Sequence, residues 1–250
     1  MIQFRQLGLS VALLIITSVG YSTPSIASQP SSTALIRVEQ VGGFVGPNVL
    51  TTRLPQVVLY SDGRILASTN LDGDVRRMYE GFLNKSALLS EISLFAKVTK
   101  IPASGWGLPP VADVPSTQIT LLQKGVKKVV NVYALGFNVD SAPTSTNQAR
   151  SALSKAINKL ATLAGSKKYF QPTSYEVWPQ AAASDPSQNS IPWPKLIAAP
   201  HDGCNKVSAK PFLMELKAAG STPWIFPDGS VERLTWRPAL PDEVACHRTS

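Results

Sequence analysis

The chain is poor in the residues that do chemistry. Among 250 residues there are two cysteines, two histidines and 16 acidic side chains. Several signatures are missing outright. No Gly-x-x-x-x-Gly-Lys-Ser/Thr loop and no Gly-x-Gly-x-x-Gly turn occurs, which excludes the common backbone cradles for nucleotide phosphates. Gly42-Gly43-Phe44-Val45-Gly46 lacks the lysine such a loop needs. No Gly-x-Ser-x-Gly elbow is present, and no lysine has a serine three residues before it, so two families of acyl-transfer nucleophile are absent. A histidine-based triad could draw only on His201 or His247, and neither has a marked nucleophile beside it. Asn70-Leu71-Asp72-Gly73-Asp74 looks like part of a calcium loop, but its ligand spacing and terminal glutamate fail, leaving a tight turn. The lysines are scattered or paired (Lys127-Lys128, Lys167-Lys168) without interleaved aromatics, which argues against nucleic acid as a partner. Apolar runs of membrane-spanning length are missing too, since roughly 20 residues are needed to cross a bilayer.

The N-terminus does carry one shorter apolar run. Arg5 supplies a positive start, Leu7–Val19 is free of charge, and Ser25 and Ala27 put small side chains at the positions that precede a cut between Ala27 and Ser28. That order is the build of a secretory signal peptide. It predicts a secreted or extracytoplasmic (cell-envelope) protein, with no transmembrane helix in the mature chain. Cleavage removes Arg5 and no acid, so the mature chain stays basic, as 24 basic against 16 acidic residues make the whole chain. Outside the cytoplasm the natural partners of such a surface are another protein or an anionic envelope polymer.

An oxidising compartment also decides the reading of Cys204 and Cys246, the only two cysteines. They are expected to form a disulfide, with a loop-closure stabilisation of about 4 kcal/mol. A free catalytic thiol would need a histidine partner and a reason to stay reduced. The crosslink would gather His201, Asp202, Asp242, Glu243 and His247 into one neighbourhood. Two imidazoles and a carboxylate can hold zinc or copper, which makes His201, Asp202 and His247 the candidate metal ligands. The spacing matches no established metal pattern, and a polar surround of a structural disulfide is the preferred reading. No cofactor is expected.

Residues 34–41 alternate as a strand, and Gly42-Gly43 turns the chain. Gln56–Tyr60 and Arg64–Ala67 flank Ser61-Asp62-Gly63, a strong hairpin signal. A helix is predicted from about Ser86, its cap, to Val98, with Leu88, Leu89, Ile92, Phe95 and Ala96 on one stripe. The stretch 101–115 is too rich in proline and glycine for regular structure. Thr117–Gln123 and Val126–Leu135 form a hairpin around Lys124-Gly125. A second helix at about 146–164 follows, with Ala149, Ala152, Leu153, Ala156, Ile157, Leu160 and Ala164 inward, a Ser145/Gln148 capping box and a Gly165 stop. Tyr169–Trp178 reads as extended, residues 179–192 as a linker, and Lys210–Ala219 as a short helix. Asp228-Gly229 turns a last hairpin, on which Trp224 and Trp236 pack. The predicted class is α+β: an antiparallel sheet with two packed helices at 34–178, then a smaller disulfide-tied, β-rich module at 193–250.

The stretch "IRVEQVGGFVG" (Ile36–Gly46), the extended segments, the helix, the Lys-Gly hairpin and the closing helix resemble the emfourin-type metalloprotease inhibitors over about residues 35–164. Gly42-Gly43-Phe44 is the sharp element of that likeness, which implies protease inhibition. Over its whole length the chain resembles exported proteins of the actinobacterial type, through Gly-Gly-Phe, "LYSDGR" (Leu59–Arg64) and "RPALPDEVAC" (Arg237–Cys246); that likeness implies no activity. Export and the additional disulfide-tied module depart from the inhibitor pattern, and no functional residue is transferred. The function expected is that of a non-enzymatic exported module binding a macromolecular partner. A metal-dependent or hydrolytic enzyme using the His201/His247 neighbourhood is the competing reading.

Overall fold

Strand pairing is the main product of this sequence. A computed structural model describes residues 32–68, 77–140, 142–165, 168–181, 190–195, 197–210, 212, 223–244 and 246. The elements begin with β1 (Ala34–Val41), α1 (Pro47–Thr52), β2 (Val57–Tyr60), β3 (Arg64–Ser68), β4 (Met78–Phe82) and α2 (Lys85–Val98). A 3-10 turn at Ala103–Trp106 precedes β5 (Ser116–Gln123), β6 (Val126–Tyr133) and α3 (Thr144–Leu163). The second half holds β7 (Ser174–Ala181), β8 (Ile191–Pro192), β9 (Asn205–Ser208), β10 (Trp224–Ile225) and β11 (Val231–Pro238). The fold class is α+β. The first sheet is antiparallel throughout, in the order β4-β3-β2-β1-β5-β6. The second runs β8-β10-β11-β7-β9 and is antiparallel except for the β8–β10 pair.

Alternation divides the first sheet into two apolar faces. Ile36 and Val38 of β1, Val57 and Leu59 of β2, Ile119 and Leu121 of β5 and Val132 of β6 meet Phe95 of α2 and Leu153, Ala156, Ile157 and Leu160 of α3. The opposite face presents Val58, Tyr60, Leu66 and Met78, and it is covered by Leu54, Phe170 and Leu240. Leu240 follows β11, so the C-terminal segment roofs the sheet face that the helices leave bare. The second sheet has an aromatic core in which Trp193 sits edge-on to Trp224 and Phe226, while Tyr175 meets Phe212 and Trp236. Edge-to-face rings of this kind add to simple area burial.

Several local expectations need correction. Asn84, not Ser86, caps α2, its side chain accepting from the Ala87 N–H at 2.9 Å. Leu89 lies outside the buried stripe at 56% exposure, and Ala152 is exposed. Pro143 stands at the α3 N-cap with no side-chain cap, so the Ser145/Gln148 box does not form. Trp106 is buried in the first core although it lies in the Pro/Gly-rich stretch. Residue 178 lies in β7, whose hydrogen-bonding neighbours are β11 and β9; this pairing is no test of the 34–178 division. The Lys210–Ala219 helix and the Asn70–Asp74 turn fall largely or wholly outside the described residues.

The hairpin turns follow their sequence signals. Gly63 adopts φ +85°, and an added Cβ would stand 2.4 Å from the Leu83 carbonyl oxygen. Gly125 adopts φ +77° with nothing within 4 Å of an added Cβ. Both substitutions to alanine strain the backbone, but only Gly63→Ala also drives an atom into the carbonyl oxygen of Leu83, the residue whose N–H donates to the Gly63 carbonyl. We expect Gly125→Ala to lose about 1 kcal/mol and Gly63→Ala at least about 2 kcal/mol in urea unfolding. Equal losses would show that the Leu83 contact is irrelevant.

Candidate binding surface and the tail that braces the sheets

Three loops leave one end of the first sheet: residues 42–46 after β1, 107–115 before β5 and 134–140 after β6. The first of them holds a side chain out to solvent. Phe44 is 89% exposed, and its loop is tied down by backbone. Gly42 and Gly43 take φ +66° and +83°, where glycine carries no Cβ penalty. An added Cβ on Gly43 would lie 3.1 Å from Pro115, so only hydrogen fits comfortably there. The Phe44 N–H donates to the Asp113 carbonyl at 3.1 Å. Arg53 donates to the carbonyls of Gln40 at 2.9 Å and Gly42 at 3.1 Å.

Beneath this tip lies a cavity of about 460 Å³. Gln40, Arg53, Gln56 and Thr117 supply polar groups, and Val114, Pro115 and Phe137 supply apolar wall. Arg150 of α3 fixes that wall from behind. It is 2% exposed, and its guanidinium donates to the carbonyls of Phe137 (3.0 Å), Trp106 (2.9 Å), Tyr133 (2.9 Å) and Ala134. Burial lowers its pKa, and the four carbonyls compensate the buried cation. Leu108 and Phe137, on the other two loops, are also exposed, at 75% and 46%. Scattered apolar residues are normal on a surface; a nearly bare phenylalanine on a loop held by backbone and Arg53 hydrogen bonds is less so.

A charged joint lies on the other side of the sheet. Arg37 points away from the helices because β1 alternates, and it pairs with Glu39, Glu243 and Asp242, the last at 2.9 Å. Burial opposes its charge, and Glu243, Glu39 and Asp242 more than offset this, raising its pKa. Tyr60 donates to the other Asp242 oxygen at 2.8 Å. Burial, reinforced by that carboxylate, pushes the phenol far upward and keeps it a donor. Arg237 of β11 is fully buried with Glu176 of β7, at 2.6 Å, and reaches Glu243 at 2.7 Å. The Glu243 carboxylate therefore bridges an arginine of each sheet. Glu176 in turn accepts from the Cys246 N–H at 2.9 Å.

Cys204 and Cys246 form a disulfide, across a sequence separation of 42. His201 stands near it, its Nδ1 2.9 Å from the Asp202 carbonyl, while Asn205 grips the His201 backbone from both sides. Asp242 and Glu243 are engaged with Arg37 and Arg237 instead. His247 and the Ala27/Ser28 junction lie outside the described residues. Among the described residues, no group of three or more His, Cys, Asp and Glu side chains is placed to hold a metal. No described helix is long and apolar enough to cross a membrane.

No family model matches the chain, and no curated protein matches it.

The bridging role of Glu243 was not legible beforehand. The stretch "RPALPDEVAC" supplies the joint: Arg237, Asp242, Glu243 and Cys246 all act in it. The one local signal is an arginine between two core residues of a central strand, Ile36-Arg37-Val38, which must meet buried anions if its face is covered.

Proposed function

We propose that this is an exported, non-enzymatic module that binds a macromolecular partner through the Phe44 loop. The observation that carries the reading is the exposure of Phe44 on a loop held by hydrogen bonds. Aromatic anchors with little conformational entropy left to lose are the usual energetic centres of protein interfaces. Here two positive-φ glycines, the Asp113 carbonyl and the Arg53 clamp have already ordered the loop. The cavity beside it offers a place for a partner's side chain. Export is supported by the leader-like N-terminus and fits the oxidised cysteine pair.

The sharpest form of the proposal is protease inhibition. It rests on the likeness of Gly42-Gly43-Phe44 and its flanking elements to emfourin-type inhibitors. The test uses the mature protein and secreted metalloproteases at stoichiometric excess. Inhibition is expected, with Phe44→Ala weakening it roughly 30-fold, as removal of a hot-spot side chain worth about 2 kcal/mol would do. Unchanged cleavage in the presence of the wild type would end the inhibitor reading. Cleavage slowed equally by wild type and Phe44→Ala would move the binding surface away from this loop.

A further inference from the structure

Two tyrosines face each other where the outer edge of the first sheet is closed. The strand β4 pairs with β3 on one side, and on the other it meets residues 168–170. The Glu80 N–H donates to the Lys168 carbonyl and the Phe170 N–H to the Met78 carbonyl, each at 2.8 Å, around a Tyr79–Tyr169 bridge. That register stacks the two side chains head to head. Their ring centroids are 4.7 Å apart with planes inclined by 19°, and the hydroxyl oxygens are 3.2 Å apart. Neither ring is deeply buried. The Arg77 guanidinium lies 5.1 Å from the Tyr169 ring centre.

Stacked rings with touching hydroxyls bring the ring carbons ortho to oxygen alongside one another. Those carbons carry most of the unpaired spin of a tyrosyl radical after oxygen. The hydrogen bond between the two hydroxyls raises the Tyr79 phenol and, with help from Arg77, lowers the Tyr169 phenol, which makes Tyr169 the easier of the two to oxidise. We propose that Tyr79 and Tyr169 are a site of oxidative crosslinking, forming an intramolecular dityrosine when a peroxidase and hydrogen peroxide act on the protein. Each phenol gives up one electron and one proton. The two radicals join by a new carbon–carbon bond between ortho positions, and the two ring hydrogens at that bond move to the oxygens as the rings regain aromaticity. Hydrogen peroxide takes the two electrons and two protons and becomes two waters. The product binds β4 covalently to the segment leading into β7, a second staple beside the disulfide.

The other described tyrosines are worse placed. Tyr60 is wholly buried against Asp242, Tyr175 is 6% exposed, and the Tyr133 hydroxyl is engaged by the Val111 carbonyl at 2.8 Å. None of them stacks on a second tyrosine.

The test treats dilute full-length protein, and separately its Tyr79→Phe, Tyr169→Phe and Tyr133→Phe variants, with a haem peroxidase and hydrogen peroxide. Phenylalanine keeps the stacked ring and removes the oxidisable hydroxyl. We expect the wild type and Tyr133→Phe to give monomer with dityrosine fluorescence, and peptide mapping to join Tyr79 to Tyr169 with loss of two hydrogens. Tyr79→Phe and Tyr169→Phe should each lose the monomeric crosslink. Dityrosine confined to dimers, a monomeric crosslink mapping to another pair, or its survival in either of those two variants would overturn the proposal.

Discussion

Replacing Arg237 with alanine is expected to lower stability by about 3–5 kcal/mol, the range found when one partner of a buried ion pair is removed. The reason is the company it leaves behind. Glu176 is fully buried beside it, and Glu243 is 13% exposed at the side chain. Both lose the guanidinium that pairs them in a site largely closed to water. Glu176 would hold the Cys246 N–H and Glu243 the Arg37 guanidinium, but the cation that joins them would be gone. Losing so much of a typical 5–15 kcal/mol stability leaves little margin. The loss is the penalty of stranding anions, not the net worth of the pair. A double variant, Arg237→Met with Glu176→Gln, should therefore recover much of the deficit, with a clear coupling energy between the two sites. Urea unfolding of Arg237→Met, Glu176→Gln and their combination reads this directly. A loss under about 1 kcal/mol for Arg237→Ala would place the joint among the weak surface pairs and remove it from the account.

Breaking the disulfide by Cys246→Ser is expected to lower stability by about 4 kcal/mol, on the loop-entropy estimate. Sequence alone would confine that effect to the C-terminal half. The structure spreads it further. The residues before Cys246 place Leu240 in the apolar cluster under the first sheet and Glu243 between Arg37 and Arg237. Loosening the tail therefore uncovers a face of the first sheet as well. Tryptophan makes the distinction measurable. Trp106 lies in the core between the first sheet and its helices, whereas Trp193 and Trp224 lie in the second core. Single-tryptophan versions should show both cores unfolding together, at a lower urea midpoint in the serine variant. A transition at Trp106 unchanged by Cys246→Ser would mean the tail braces only its own sheet.

What could be read beforehand was local. β1 announces itself by alternation, the Asp-Gly and Lys-Gly turns by chemistry, and α3 by apolar residues at three- and four-residue steps. Each signal sits within a few residues of the structure it encodes. β4 carries a weak signal because "MYEGF" has a glycine as its fourth residue, which weakens a strand on propensity. The fold needs that glycine: an added Cβ on Gly81 would stand 2.7 Å from the Leu163 carbonyl oxygen, where α3 ends against the strand. Trp106 was hidden for a similar reason, as a core residue inside a stretch punctuated by proline and glycine. The pairing of β7 with β11 has no local signature, because its register joins Tyr175 to Pro238 and Ala181 to Glu232 across the chain. The charged joint is harder still. Its members come from β1, β2, β7, β11 and the tail, and nothing in a single sequence says that Arg37 and Arg237 share Glu243. The Phe44 loop is intermediate: its glycines mark a turn, while its exposure becomes visible only when Asp113 and Pro115 are seen holding it from another loop.

Export from the cytoplasm and closure of the Cys204–Cys246 tail outside it are the central expectation. Intact mass, N-terminal sequence and thiol titration of the protein recovered from the cells and medium that produce it test this most directly. The account predicts a chain that starts at Ser28, has no titratable thiol and is found outside the cytoplasm. A cytoplasmic chain that retains Met1 and carries both cysteines reduced would contradict it.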